Sequence, residues 1–292
     1  MVTPIEERNP KTMHIDLMST QEILETINQE DQKVADAVKA VLPEIEKAVD
    51  IIAASFLEEG RLGYFGAGTS GRLGVLDASD CWSTFGVDTD KVQGYVAGGE
   101  RALRISVERS EDKEDLALLD LGQFNPSPKD VVVVLSAAGN TAYPLTILKR
   151  AKELGAKTIA ICSNPKAPLK KEADIFINPI VGPEVITGSS RMKAGTAQKM
   201  IINMLSTASM IKIGKAYENL MIDVRVMSNK LYNRACRIIE YITGVSEDEA
   251  KKYLEASDKN VKVACVMINK DCSKEEAEKL LKKKGGILRK VI

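Results

Sequence analysis

Apolar positions change their period along the chain, and each change marks an element. From Ile23 to Leu42 they recur at helical spacing behind Ser19, which pairs with Glu22 in a capping-box pattern. Pro43 opens a further helix, PEIEKAVDIIAASFLEEG. Its Ile45, Val49, Ile52, Ala53 and Phe56 fall on one side, and Gly60 ends it. The period then shortens. LGYFG (62–66), DVVVVLS (130–136), KTIAICS (157–163) and DIFINP (174–179) are continuous apolar runs, each followed by turn residues and then a helical stretch; KVQGYVAG (91–98) supplies a weaker fifth. Such runs, joined by helices, predict a doubly wound α/β fold with a parallel sheet covered on both faces.

From about Gly188 to Tyr241 the pattern is almost wholly helical. It includes AQKMIINMLSTASMIKIG, apolar on nearly every side, which suits a buried helix or one packed on another subunit. Beyond Gly244, VSEDEAKKYLEAS, NVKVACVMI and SKEEAEKLLKKKGG predict three short helices, with Ser246 and Ser273 as N-caps. The expected organisation is an N-terminal arm with helices (1–45), an α/β domain (46–240) and a small C-terminal three-helix bundle of ubiquitin-associated type (241–292).

Composition narrows the picture. The chain has 292 residues, enough to bury roughly three quarters of its unfolded surface. Hydrophobic residues make up 44% but aromatics only 4%, so the core is aliphatic, as helices on a buried sheet require. Forty-one basic and 41 acidic residues cancel, and no basic track follows a nucleic-acid backbone. The densest basic cluster, KKKGGILRK (282–290), reads as a solvated helix end. Five cysteines without C-x-x-C spacing argue against a disulfide framework and a zinc site. The N-terminus has no apolar signal core, and no stretch approaches the roughly 18 apolar residues of a membrane span. A cytoplasmic protein with reduced thiols is expected.

Candidate chemistry lies in the loops after the strands. GAGTSG (66–71) meets the G-x-G-x-x-G spacing of a dinucleotide loop, but such a loop needs an acidic residue about 20 positions later at the end of the second strand, and the nearest match, Glu100, comes about ten too late. A second loop, SAAGNT (136–141), also follows a strong strand and precedes a helix. Together the two loops offer glycines for close backbone approach and hydroxyls at Thr69, Ser70, Ser136 and Thr141. Two such loops favour a small sugar phosphate over NAD. The single histidine, His14, sits in the polar arm, which leaves carboxylates as the acids and bases. Asp77 and Asp80 follow the first loop; Glu100, Glu108, Glu111 and Asp112 follow the second strand. Spacing alone does not choose among them.

GPEVITGSSRMKAGTAQK (182–199) closely resembles the signature of the N-acetylmuramic acid 6-phosphate etherases, enzymes of the sugar isomerase (SIS) fold. Further similarity lies in ERNPKT, IDLMST, LPEIEKAVD, GAGTSGRLGVLDAS, AGGE, NMLSTASMIKIGKAYENLMIDV and the closing GGILR. The resemblance implies a five-stranded parallel sheet flanked by helices, a helical C-terminal piece, a homodimer, and catalysis without metal or cofactor. It also implies cleavage of the C3 lactyl ether, with release of D-lactate and N-acetylglucosamine 6-phosphate. By the same resemblance the acid falls on Asp80, where the family carries glutamate, and the base on Glu111. Gly68, Thr69, Ser70, Ser136, Gly139, Asn140, Thr141, Glu184, Ser189, Ser190 and Lys193 become candidate substrate contacts.

The departures cluster. Trp82 and Ser83 stand in CWSTFG (81–86) where the family usually has Cys-Pro-Pro. SAAGNT replaces Ala-Ala-Ser-Gly-Arg-Thr, so Ala138 lacks a hydroxyl, Asn140 replaces a cation and Ser136 brings a hydroxyl two residues earlier. Such a pattern keeps open a non-catalytic sugar-phosphate-binding regulator resembling the glucokinase regulatory protein. An aldose–ketose isomerase is the third reading.

Overall fold

The computed structural model describes residues 3–292, which group into two compact units. One holds the described residues through Ser79 together with Asp90–Thr207. The other holds Asp80–Thr89 and Ala208–Ile292. The division falls neither at 45 nor at 240, because packing rather than sequence order sets it. The N-terminal helices close on the sheet, and the stretch after 208 supplies core to the C-terminal helices.

In the first unit, α1 (Thr20–Asp31), α2 (Lys33–Lys39) and α3 (Leu42–Leu57) precede the sheet. Ser19 caps α1 in a full capping box, its side chain accepting from the Glu22 amide while the Glu22 carboxylate accepts from the Ser19 amide. Then come β1 (Leu62–Gly66), α4 (Gly68–Phe85), β2 (Val92–Val96), α5 (Gly99–Arg104), α6 (Glu114–Phe124), β3 (Val131–Leu135), α7 (Ala142–Glu153), β4 (Lys157–Ile161), α8 (Leu169–Glu172), β5 (Ile175–Ile177) and α9 (Lys193–Lys212). The strands form one five-stranded sheet in the order β2-β1-β3-β4-β5, and every pairing is parallel.

Burial explains the continuous apolar runs. All five residues of β3, VVVVL, are fully buried, as a strand covered on both faces demands. Alternate residues serve opposite faces. Phe65, Val132, Val134 and Ala160 join Leu121, Phe124, Tyr143, Ile147 and Leu148 in one core cluster beneath α6 and α7. On the other face the Tyr64 hydroxyl donates to the Ile202 carbonyl of α9 at 3.4 Å. Among the described residues no helix is long and apolar enough to cross a membrane.

The helical reading of 188–241 needs correction in its middle and at its start. Residues 182–192 form an irregular loop, and between Lys212 and Asn229 the chain leaves the helix through Gly214 at φ 82°. There an added Cβ would meet the Ile287 side chain at 2.7 Å, so glycine is required. The irregular stretch that follows, which turns back on itself between Tyr217 and Leu220, buries Ile222 and Val224.

In the second unit, those two residues join the core of α10 (Asn229–Thr243), α11 (Glu247–Ala256), α12 (Val261–Lys270) and α13 (Lys274–Lys283). Ser246 and Ser273 complete capping boxes with Glu249 and Glu276. The Lys262 ammonium lies 2.5 Å from the Asp223 carboxylate. Burial lowers the Lys262 pKa, and the Asp223 charge only partly restores it. Arg225 stands over the Trp82 ring at 5.3 Å and donates to the Gly86 carbonyl (3.2 Å) and to Asp88 (2.8 Å). Trp82 and Ser83 therefore continue α4 to Phe85, at positions where proline would remove backbone donors from the helix.

Candidate active site

The strand order reverses between β1 and β3, and in an open parallel sheet a ligand crevice forms at the carboxyl ends of such a pair. A cavity of about 280 Å³ opens there. That volume lies near the lower end for small-ligand sites, roughly 300 Å³. Its floor comes from Ala67, Gly68, Thr69 and Ser70 after β1, and from Leu135, Ser136, Ala137 and Ala138 after β3. Thr141 and Ser190 also line it, as do Ala102, Ser106, Val107, Ser110 and Glu111 from the segment after β2. Larger recesses lie beside β2 (about 410 Å³) and on α13 (about 660 Å³), but neither gathers two strand-end loops.

The glycines of GAGTSG divide the labour. A Cβ on Gly71 would meet the Gly66 carbonyl at 2.3 Å and the Val96 backbone at 2.8 Å, so this glycine lets α4 pack tightly on the strands. Gly68 has open space around it but a φ of 55°, which turns the chain into α4 and leaves backbone facing the cavity. The spacing serves packing and a tight turn, with no dinucleotide implied.

The hydroxyls differ in what remains to them. Ser70, nearly buried, donates to Gln198 of α9 at 2.9 Å. Ser136 accepts from the Gly139 amide at 3.0 Å, which folds the second loop and leaves its proton for a ligand. Thr141 precedes α7 without capping it through its side chain, and it lines the cavity. α4 and α7 both begin at this cavity, and their first backbone N–H groups favour an anion.

Glu111 sits in a 3-10 turn, Ser110–Asp112, reached through Arg109 at φ 56° and ψ 16°. A left-handed arginine is strained by about 1–2 kcal/mol, and here it turns the next residues inward. Glu111 lines the cavity and makes no hydrogen bond or ion pair among the described residues. Arg72 lines it too, its Nε donating to the Ala102 carbonyl at 2.8 Å. These are the one anionic and the one cationic side chain among the described residues of the lining.

Of the residues nominated from sequence, the cavity unites Gly68, Thr69, Ser70, Glu111, Ser136, Thr141 and Ser190. Gly139, Asn140 and Ser189 stand behind it in the same loops: Gly139 is buried and Asn140 exposed. Asp80 is exposed on α4, twelve residues after Gly68 and so roughly 18 Å along the helix axis, and it does not line the cavity.

Glu184 and Lys193 do different work. The Glu184 carboxylate is fully buried and accepts from the Lys193 and Ala194 amides at 3.0 and 2.9 Å, which caps α9. The Lys193 ammonium, also fully buried, lies 2.7 Å from Glu30. Glu30 further accepts from Asn9 (3.0 Å) and from Lys33. Burial alone would raise the Glu30 carboxyl, but bonds from Lys193, Lys33 and Asn9 outweigh it and hold it at about 2. The arm completes this clamp: Asn9 donates to the Pro183 carbonyl (3.2 Å) and Thr12 to the Val185 carbonyl (2.8 Å), gripping the loop that carries Ser190.

Sequence reasoning passed over Arg72, Ser106 and Ser110. Arg72 stood inside the similar stretch GAGTSGRLG and could have been nominated as the cation nearest the first loop. The two serines lie in an irregular segment with no spacing to flag them.

Comparison with known proteins settles the family. Curated relatives named N-acetylmuramic acid 6-phosphate etherase include one from Glaesserella parasuis, 51% identical over 96% of this chain and 92% of its own. Another, from Vibrio cholerae and numbered etherase 2, is 50% identical over 98% and 94%. The chain belongs to the N-acetylmuramic acid 6-phosphate etherase family. The family profile for a SIS domain matches residues 117–208. Profiles described as the glucokinase regulatory protein N-terminal SIS domain and its C-terminal lid domain match residues 33–151 and 218–257. Each covers less than half of the chain, whereas the etherases align along nearly all of it, so the etherase family is favoured over the regulator. A phosphoheptose isomerase structure from Francisella tularensis superposes with a TM-score of 0.52 at 15% identity, over 66% of this chain and 98% of that one. At that identity the likeness is one of fold.

Proposed function

We propose that this protein is an N-acetylmuramic acid 6-phosphate etherase. It would cleave the C3 lactyl ether to give D-lactate and N-acetylglucosamine 6-phosphate, within the cytoplasmic recycling of cell-wall sugar. The observation that carries the reading is Glu111: a carboxylate without a partner among the described residues, lining a hydroxyl-bearing cavity at the sheet's switch point, in a chain half identical to named etherases along its length.

In the ring-opened sugar the C2 proton is acidic because it lies beside the C1 aldehyde. Glu111 takes that proton, electrons move into the C2–C3 bond, and the C3–O bond breaks. Lactate leaves with a proton from an acid. Water then adds at C3, placing hydroxyl there and returning a proton to C2. The phosphate sits over the first turns of α4 and α7, within reach of Thr69, Ser136 and Thr141.

Resemblance assigns the acid to Asp80. Because Asp80 does not line this cavity, the assignment goes together with a homodimer in which the second copy brings its carboxyl to the site. A sedimenting monomer with full activity would remove both claims. The reading itself is tested by incubating purified protein with N-acetylmuramic acid 6-phosphate and assaying D-lactate. Stoichiometric release is expected, and none at high enzyme concentration would sink it.

A further inference from the structure

Resting on the etherase reading, we infer that Arg72 recognises the lactyl carboxylate, and thereby distinguishes the substrate from its lactate-free product. The substrate carries two anionic groups, a phosphate at C6 and a carboxylate on the lactyl group at C3. The cavity answers them unequally. At the end formed by the two strand loops there are helix N-termini and hydroxyls but no cation, since Asn140 is neutral, exposed and outside the lining. Backbone N–H groups with Thr69, Ser136 and Thr141 suit a phosphate without one.

The single cation stands elsewhere. Arg72 belongs to the second turn of α4, yet its Nε is tied to the Ala102 carbonyl of α5, in the segment that also brings Ser106, Ser110 and Glu111 to the lining. That bond uses one of five guanidinium N–H groups, and the terminal nitrogens have no other partner among the described residues. Arg72 is not spent on Glu111, because the two form no ion pair although both line the cavity. What remains is a tethered fork of donors, the geometry that binds a carboxylate through two parallel hydrogen bonds. Chemistry is consistent with this. C2, where Glu111 acts, and C3, which bears the lactyl group, are bonded neighbours, and the carboxylate lies three bonds beyond C3, so its partner belongs in the same cavity as the base, and Arg72 lines it.

Binding to the Glu111→Gln protein, measured by calorimetry with two ligands, tests this without turnover. Adding Arg72→Gln should weaken N-acetylmuramic acid 6-phosphate by about 10- to 100-fold, the range of one charge-assisted bond pair, while N-acetylglucosamine 6-phosphate changes less than about twofold. Arg72→Lys, which keeps the charge and loses the fork, should fall between, and it serves if the glutamine variant does not fold. Equal weakening of both ligands would move Arg72 to the phosphate and overturn the inference. No change for either would reduce Arg72 to a tie between α4 and α5 and overturn it equally. Absence of D-lactate release by the wild-type protein would count against the etherase reading while leaving the two-ligand comparison interpretable.

Discussion

In the cavity at the ends of β1 and β3, polar side chains hold hydrogen-bonding capacity in reserve. Glu111 has no partner among the described residues, Arg72 uses one N–H, and Ser136 keeps its proton. At the start of α9 the opposite holds. Lys193, Glu30 and Glu184 are almost wholly buried, and each is engaged by another member of the clamp or by the backbone it caps. Both clusters draw on the same similar stretches, so membership of a motif does not separate them. What separates them is satisfaction. A buried charge survives only when paired, and once paired it has nothing left for a ligand. A half-exposed group left unpaired beside a cavity is available for chemistry.

If that contrast is right, the two clusters should fail differently. Glu111→Gln should cut kcat by about 10³- to 10⁴-fold, at the upper range for a general base, with an unchanged melting temperature. Steady-state kinetics and calorimetry on one preparation check both halves. Lys193→Met should do the reverse, costing about 1.5–3 kcal/mol of stability in urea unfolding because Glu30 loses its buried cationic partner and keeps only Asn9 and the more exposed Lys33; any loss of activity should track the unfolded fraction. Asp80→Glu restores the family's side chain and its lost methylene, so it should raise kcat by up to about 100-fold if Asp80 is the acid. An unchanged or lower rate would argue that the site has adapted to aspartate. Thr12→Val leaves the Val185 carbonyl without its donor and should cost about 1–3 kcal/mol, with Thr12→Ser recovering most of it.

A further effect is a pH dependence confined to the clamp. The folded Glu30 carboxyl is held at about 2 against an ordinary 4.5. Its ionised form therefore contributes stability above the ordinary value, and that contribution is lost as pH falls from 4.5 toward 2. Acid melts of the wild type and Glu30→Gln should converge over that window. Parallel curves would mean that Glu30 is not so depressed.

Much of the fold was legible because buried parallel strands leave an unmistakable mark: VVVVL admits few alternatives, and glycine with hydroxyls after a strand points to a ligand loop. Legibility failed where residues far apart in sequence decide the outcome. Nothing in GPEVITGSSRMKAG says that Glu184 turns inward to cap α9 or that Lys193 finds Glu30 on α1, so both looked like ligands for substrate. Helical periodicity through 213–228 misled because apolar residues that pack against a bundle from an irregular stretch resemble those of a helix. Arg72 was visible but anonymous. Only its bond to the Ala102 carbonyl, on α5 and far along the chain, shows what it is tied to.

The interleaving of the two units has a genealogical consequence. Residues 80–89 are counted with 208–292, and both α4 and α9 run through the boundary, so the C-terminal part is not a cassette that recombination could exchange at one junction. An exchange at 208 would bring a new residue to position 225 while leaving Trp82, Gly86 and Asp88 from the old parent. The departures at CWSTFG and the residue at 225 are thus expected to be inherited as a set, and lineages that changed one should record a matching change in the other.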